Sequence, residues 1–186
     1  MKKSNFLKVS IFIFTLFIGQ TYFAQKTKMV GGAEMFPSKN IIENAVNSKD
    51  HTTLVAAVKA ADLVATLSGD GPFTVFAPVN KAFEMLPEGT VATLLKPENK
   101  KQLQIILTYH VVAGKVSAAD LIKMIKDNDG KVAIKTVSGG TITAWMKDKK
   151  VYISDENGGK AVVTIADVNQ SNGVIHIIDS VLLPKS

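Results

Sequence analysis

Three histidines are the residues of this chain with the greatest potential for chemistry, and no cysteine accompanies them. His51, His110 and His176 could act as general bases for a serine nucleophile or as metal ligands. The sequence lacks the spacings that bring such groups together in enzymes, since it has no GxSxG, HExxH, GxGxxG or GxxxxGK motif. A serine, histidine and aspartate triad assembled from distant positions is the remaining enzymatic alternative. We therefore expect no enzyme and no bound cofactor.

One acidic segment, 127–130 (Asp-Asn-Asp-Gly), has the look of a calcium-binding loop. Lys131 falls where a calcium loop needs a ligand, and no glutamate follows at the required distance. The segment is more typical of a turn that ends a helix, because Asn and Gly both tolerate left-handed backbone. The sequence therefore predicts no metal site.

Hydrophobic periodicity favours structural roles for two of the histidines. His110 lies on the same helical stripe as Leu103 and Leu107, which predicts a ring that points into the core. His176 lies in a strand with apolar residues on both faces, which predicts a buried polar contact. His51 is near a helix start and is expected to face the solvent. A ligand-binding or catalytic role is the alternative for His110 and His176.

The elements that would position these residues fall into two groups. Helical patterns occupy the first half of the chain, up to a helix that Ser117 and Asp120 open with a capping box. From Gly130 onward the apolar residues alternate, as in strands separated by turns. The alternating pairs are Val132/Ile134, Ile142/Ala144, Val151/Ile153 and Val162/Thr164. This segregation predicts an α+β fold in which N-terminal helices pack on a compact antiparallel β-sandwich or wedge.

The N-terminus indicates export. Three lysines, a short apolar run at 9–18 and a small residue at Ala24 are together typical of a secretory signal peptide at 1–24. The run is about half the length of a membrane-spanning helix, so an uncleaved anchor is the lesser alternative. Residues 25–39 lack apolar periodicity and are expected to form a flexible leader. We predict a secreted or periplasmic protein with no integral membrane anchor after cleavage.

The charge of the chain argues against a nucleic-acid partner. The formal net charge is +6, and three lysines lie in the predicted signal peptide, so the mature chain would carry 6 − 3, or about +3. Every basic residue is lysine, and arginine is absent. Bidentate recognition of guanine and phosphate relies heavily on the planar fork of arginine. The lysines are therefore expected to form a solvated surface.

Three segments of the sequence carry a resemblance to a known family. They are 73–83 (FTVFAPVNKAF), 107–115 (LTYHVVAGK) and 172–184 (NGVIHIIDSVLLP). In type and order they resemble the two end motifs and the Tyr-His motif of the fasciclin domain family, and the similarity covers 40–184. The resemblance implies a fasciclin-like fold in a secreted bacterial protein with one such domain. It also implies a contact between Asn80 and His110 that joins the first motif to the second.

The resemblance also indicates residues for partner binding. In animal fasciclin domains, the stretches that correspond to Asp167-Val168 and to Tyr109-His110 are implicated in binding integrins. Here Val168 stands where the animal pattern has isoleucine, and the flanking residues differ, so an integrin is not the expected partner. The four residues are candidates for contact with another partner.

Two functions of different classes follow from the resemblance. The first is a non-catalytic module for cell adhesion, or for binding a protein or glycan at a cell surface or matrix, with its oligomeric state open. The second is a carrier of a small lipophilic ligand, lipid or pigment, because some fasciclin domains bind such molecules. Six residues could line an adaptable apolar site for a carrier: Met29, Met35, Met85, Met124, Met146 and Trp145. Core packing is the alternative role of Met85 and Met124.

Overall fold

The computed structural model describes residues 26–185, so the predicted signal peptide at 1–24 lies outside the described residues. The helices are α1 (Ile41–Ala45), α2 (Thr52–Ala60), α3 (Val64–Ser68), α4 (Asn80–Glu84), α5 (Thr90–Leu94), α6 (Lys100–Tyr109) and α7 (Ala118–Asp127), with 3₁₀ turns at Lys49–His51 and Pro97–Asn99. The strands are β1 (Lys28–Val30), β2 (Ala33–Met35), β3 (Phe73–Pro78), β4 (Val111–Ala113), β5 (Lys131–Lys135), β6 (Thr141–Lys147), β7 (Lys150–Ser154), β8 (Lys160–Gln170) and β9 (Gly173–Ile178). The predicted α+β class is confirmed. No helix within this range is long and apolar enough to cross a membrane.

The strands from β3 to β9 form one sheet in the order β4-β3-β9-β8-β7-β6-β5. Neighbouring strands are antiparallel except β3 and β9, which run parallel with Phe73 opposite Gly173. The first residues of β8 pair with β7, and the remainder pair with β9 through register shifts between Val163 and Val168. Because such bulges bend a strand, β8 divides the sheet into two halves that share one strand.

Each half of the sheet has its own apolar core. The first core lies between the N-terminal helices and the strands β3 and β9, where Ile41, Val58 and Ile177 are buried. The second lies under α7 against β5, β6 and β7, where Leu121 and Ile142 are buried. Each fully buried side chain of this size contributes about 1.5–3 kcal/mol relative to its exposed state. The two cores fix the helices on the sheet.

Two helices that carry or precede predicted site residues form as the sequence indicates. The stripe on α6 is buried, with Leu103 and Leu107 in the first core and His110 at the C-cap. Ser117 and Asp120 form the predicted capping box at the start of α7, since the Ser117 side chain accepts from the Asp120 N–H and the Asp120 carboxylate accepts from the Ser117 N–H. Reciprocal bonds of this kind satisfy two backbone donors at a helix start.

The segment predicted as a flexible leader, 25–39, instead contains an ordered hairpin. Val30 at the end of β1 and Met35 at the end of β2 are each 3% exposed and belong to the first core. Gly31 and Gly32 form the turn with φ of 57° and 75°, values that glycine adopts without strain. A Gly-Gly pair between two short runs is a recognised hairpin signal, which helical periodicity does not detect.

The structure shows which of the alternating residues of β8 face the core. Ala161 is fully buried and Val163 packs against the second core, whereas Val162 is half-buried and Thr164 is exposed on the opposite side. The run 161–163 is apolar on both faces, so alternation cannot decide which face is buried. The pairing of Tyr152 with Val162 across β7 and β8 decides it.

Candidate functional site

His110 at the end of α6 has both ring nitrogens occupied by backbone groups. Its Nδ1–H donates to the Ile106 carbonyl at 2.8 Å, and its Nε2 accepts from the Leu182 N–H at 3.0 Å. Because Nε2 accepts a hydrogen bond, the ring is the neutral tautomer with its proton on Nδ1. Burial lowers the pKa of His110 to about 4, while the Ile106 carbonyl and Asp155 oppose the shift in part. The ring ties α6 to the C-terminal segment and leaves no nitrogen free for a ligand.

The predicted contact between Asn80 and His110 is wrong. The Asn80 side chain at the start of α4 accepts from the Thr53 N–H at 3.0 Å and donates to the Lys49 carbonyl at 2.9 Å. It therefore satisfies backbone groups at the beginning of α2, which has no side-chain cap of its own. The first motif is joined to α2 by this amide, and the partners of His110 lie elsewhere.

Tyr109 connects α6 to two turns of the sheet. Its hydroxyl donates to the Thr141 carbonyl at 2.7 Å and accepts from the Glu156 N–H at 3.2 Å. The residue is fully buried. Burial raises the pKa of Tyr109 to about 12, and the carboxylates of Glu156 and Asp155 add to the increase. The phenol is therefore a neutral structural link.

Asp167 and His176 hold the start of α7 against the sheet. The Asp167 carboxylate accepts from the N–H of Ala118, the first residue of α7, at 2.7 Å. His176 Nδ1 accepts from the Asp167 N–H at 3.3 Å, and its Nε2–H donates to the Val116 carbonyl at 2.9 Å. Burial lowers the pKa of His176, so its ring is neutral at pH 7. Asp167 has left-handed backbone, with φ of 53°, which places its N–H and carboxylate for these contacts.

The four residues predicted to bind a partner differ in accessibility. Tyr109, His110 and Val168 are at most 3% exposed, so a partner cannot contact their side chains in this conformation. Asp167 is half-buried and reaches the surface. Its carboxylate is engaged by α7, and partner binding at this position stays a prediction.

His51 was expected to face the solvent, and the structure corrects this. The 3₁₀ turn before α2 directs its ring inward, where the residue is 3% exposed. Nδ1 lies 2.8 Å from the Ser48 hydroxyl, whereas Nε2 is buried and has no hydrogen-bond partner among residues 26–185. Burial lowers the pKa of His51, and the nearby charge of Asp50 opposes the shift in part. The ring is neutral and retains one unused polar atom in the first core.

A cavity of about 60 Å³ lies beside His51 between α1, α2 and the strands β3 and β9. Its lining is almost entirely apolar and includes Ala45, Val58 and Ile177. Of the six residues predicted to line a carrier site, Met35 alone is part of this lining. Met29 and Met85 are exposed, Met124 and Met146 pack against the second core, and Trp145 lies on the outer side of the sheet. The predicted set therefore does not form one site.

No group of three His, Asp or Glu side chains within 26–185 could hold a metal ion. The segment 127–130 forms the turn that ends α7, with Asp129 and Gly130 in left-handed conformations. The prediction that this segment is a helix-ending turn is confirmed. Its geometry arises from the chain reversal into β5.

The outer side of β5, β6, β7 and the start of β8 forms a surface that sequence reasoning missed, here called the cationic face. Its residues alternate with those of the second core, and none is buried. It comprises Lys131, Ala133, Lys135, Thr141, Thr143, Trp145, Lys147, Lys150, Tyr152, Ser154, Lys160 and Val162. Five of these residues are lysines and none is acidic. The period-two pattern that predicted the core positions also marks these outward positions.

The strand register aligns the cationic face into two rows. One row is Lys131, Trp145, Tyr152 and Val162, and the next is Ala133, Thr143, Ser154 and Lys160. The rings of Trp145 and Tyr152 stack, with centroids 5.4 Å apart and planes at 21°. A shallow depression of about 280 Å³ borders Trp145 and is lined by Lys131, Thr143, Ser154 and Lys160. Aromatic rings, hydroxyls and ammonium groups thus converge on one surface.

The fold and motifs belong to a known class of protein. The family model described as the fasciclin domain matches residues 49–184, and the chain belongs to the fasciclin family. A solved structure of a FAS1 domain pair from the insect cell adhesion molecule fasciclin I is similar, with a TM-score of 0.69 and 21% sequence identity. That similarity covers 78% of this chain and 51% of the solved chain.

Bacterial and animal relatives resemble this chain over different shares of their length. Protein sll1483 of Synechocystis sp. is 50% identical over 160 residues, which cover 86% of this chain and 82% of the relative. Immunogenic protein MPB70 of Mycobacterium bovis is 35% identical over 147 residues, or 76% of this chain and 67% of the relative. Transforming growth factor-beta-induced protein ig-h3 of Sus scrofa is 34% identical, and this chain spans 20% of its length.

Proposed function

We propose that this chain is a secreted or periplasmic, non-catalytic binding module that attaches to a protein or glycan at a cell surface or matrix. The observation that carries the proposal is the cationic face, an exposed sheet surface with five lysines and no acidic residue. The similar solved structure comes from a protein described as a cell adhesion molecule, which supports the same class of function.

The chemistry of the buried groups supports a non-catalytic role. The rings of His110 and His176 are held by backbone partners at both nitrogens, and the Tyr109 hydroxyl has two partners. A general base must reach a substrate proton within hydrogen-bonding distance. These groups stabilise the junctions between α6, α7 and the sheet, and binding is assigned to the cationic face.

A cell-binding measurement tests the proposal. The exported protein, purified from its own source and labelled with a fluorophore, should bind intact cells saturably, and an excess of unlabelled protein should compete. Raising the salt concentration should weaken the binding, because exposed charges are screened within about 8–10 Å at physiological ionic strength. Pretreatment of the cells with protease or with glycosidase distinguishes a protein from a glycan partner. Non-saturable binding that unlabelled protein does not displace would contradict the proposal.

The export part of the proposal has its own measurement. The intact mass of the protein recovered outside the cytoplasm should correspond to a chain that begins near Gln25. A species that retains Met1 in the membrane pellet would contradict both the signal peptide and the localisation.

A second candidate function is the carriage of a small lipophilic ligand, and the cavity beside His51 favours it. A ligand with an apolar chain and one hydroxyl group would match the apolar lining and the unpartnered Nε2. Ala45 lines the cavity and is half-buried, whereas Ala56 on α2 is exposed and outside the lining. Xenon is small enough to probe a cavity of this size: Ala45→Leu should weaken xenon binding and Ala56→Leu should not. Equal binding by both variants would exclude this cavity.

A further inference from the structure

The stacked aromatic pair on the cationic face offers the outer faces of two rings for contact with sugar rings. Trp145 and Tyr152 lie opposite each other on β6 and β7, and their rings stack with centroids 5.4 Å apart, so that each ring covers one face of the other and keeps its outer face for contact with a ligand. Both residues are half-buried, so part of each ring faces the solvent. Rings of this kind offer a large, rigid contact area together with a polar group at the edge. A sugar ring, with its C–H groups on one face and hydroxyls around its rim, is complementary to such a surface.

The charges around the aromatic pair favour an anionic ligand. Lys131 is the register partner of Trp145, and Lys160 is two strands away from Thr143 in the second row. Within the described part of the chain, neither lysine forms a salt bridge. Asp155, an acid beside the face, already accepts from the backbone N–H groups of Gly159 and Leu183. The ammonium groups on the face are therefore available to a ligand of opposite charge.

The dimensions of the face suit an oligomer better than a single sugar. Three strand spacings separate β5 from β8, which gives about 14 Å at roughly 4.8 Å per spacing. The hydroxyls of Thr143 and Ser154 lie between Ala133 and Lys160 along the second row, and they line the same depression as Lys131. They can donate to and accept from ring hydroxyls of a chain that crosses the strands.

We propose that the cationic face binds an acidic polysaccharide whose charge is carried as carboxylate or sulfate. Trp145 and Tyr152 contact the sugar rings, Lys131 and Lys160 pair with the acidic groups, and the hydroxyls of the second row bind neutral positions. This inference rests on the proposed function of the chain as a surface-binding module, and it names the ligand class. A nucleic acid is disfavoured because the chain has no arginine for bidentate phosphate or base contacts.

The test uses the full exported protein and defined probes. Oligogalacturonate supplies carboxylates, heparin supplies sulfates and dextran is the neutral control, with affinity measured by calorimetry. The paired variant K131Q/K160Q should weaken binding of the acidic probe by about tenfold, as expected for the loss of two exposed ion pairs. Trp145→Ala should weaken it by a similar factor through lost ring contact. Dextran should bind too weakly to measure.

A matched control separates a specific face from general charge attraction. Lys101 on α6 and Lys126 on α7 are exposed and lie outside the cationic face, so K101Q/K126Q removes the same net charge. This variant should retain the affinity for the acidic probe within about twofold. Equal weakening by the two paired variants would overturn the inference. Circular dichroism melts establish that all variants are folded.

The remaining outcomes distinguish this inference from the proposed function. Tighter binding of a single-stranded DNA oligomer, or of vesicles with anionic lipid, than of either acidic glycan would overturn the polysaccharide assignment. If K131Q/K160Q and Trp145→Ala still bind cells like the unmodified protein, the inference fails while the binding module stands. If the unmodified protein binds neither cells nor acidic glycans, both fail.

Discussion

Acidification should destabilise this protein through His110. In the folded state its Nε2 accepts the Leu182 N–H, so protonation of that nitrogen removes a hydrogen bond and places a charge in the core. Burial lowers the pKa of His110 in the folded state to about 4 from its ordinary value of 6.5. The unfolded chain therefore binds the proton first as the pH falls. Stability is full above pH 6.5 and is lost as the pH decreases toward 4.

The magnitude follows from the two pKa values. For a folded pKa of about 4 and an unfolded pKa of 6.5, proton linkage lowers the free energy of unfolding by about 2 kcal/mol at pH 5. Well below pH 4 the loss approaches about 3 kcal/mol. Domains of this kind have a total stability of about 5–15 kcal/mol, so the effect is a substantial fraction. The pKa values of His51 and His176 are also lowered by burial and add in the same direction.

Urea melts at pH 7.5 and pH 5 measure this loss, and His110→Gln isolates the contribution of one ring. The variant should be less stable than the unmodified protein at pH 7.5, yet its loss between the two pH values should be smaller by about 2 kcal/mol. An NMR titration of the imidazole signals should show His110 neutral at pH 5. A His110 ring that titrates near pH 6.5, or an unchanged pH dependence in the variant, would refute the reasoning.

Three further predictions concern stability and are checked by denaturant melts at neutral pH. Asn80→Ala and His110→Ala should have additive effects within about 0.5 kcal/mol, because the two side chains share no hydrogen-bond partner; a strong coupling would restore the contact that the structure excludes. Ser117→Ala removes the cap of α7 and should cost about 1 kcal/mol; no loss would mean that the capping box is not formed in solution. Gly173→Ala should cost about 3 kcal/mol or more, because its Cβ would lie 2.1 Å from the Phe73 carbonyl oxygen; a neutral effect would argue against the parallel β3–β9 pairing.

The sequence predicted those features that depend on neighbouring residues. The capping box at Ser117, the buried stripe of α6 and the turn after α7 are each specified within about ten residues of chain. The inward positions of β5, β6 and β7 follow from strict alternation, because all their outward residues except Ala133 are polar or aromatic. Local pattern and tertiary structure agree at these sites.

Features that depend on distant pairing could not be predicted in the same way. Asn80 finds its partners at the start of α2, and His110 finds one at Leu182, in a segment 72 residues away. The direction of His51 is set by a single 3₁₀ turn, which periodicity does not resolve. For Asn80 and His110 the type of residue indicated a buried hydrogen bond, and only the fold identifies the partner.

The cationic face was missed for a different reason. The lysines were predicted only to form a solvated surface, with no role in binding. Their convergence with Trp145 and Tyr152 depends on strand register, since a shift by one residue would turn these side chains into the core. The outward half of an alternating pattern contains as much information about function as the inward half contains about packing.

An NMR titration of the ¹⁵N-labelled exported protein with oligogalacturonate tests the central claim most directly. The account predicts chemical-shift changes concentrated in β5, β6, β7 and the start of β8, with a large change at the Trp145 indole N–H. These changes should all saturate over the same range of ligand concentration. Residues of α1 and α2 around the cavity should be unaffected. Shifts centred on that cavity, or no shifts at millimolar ligand, would contradict the assignment of binding to the cationic face.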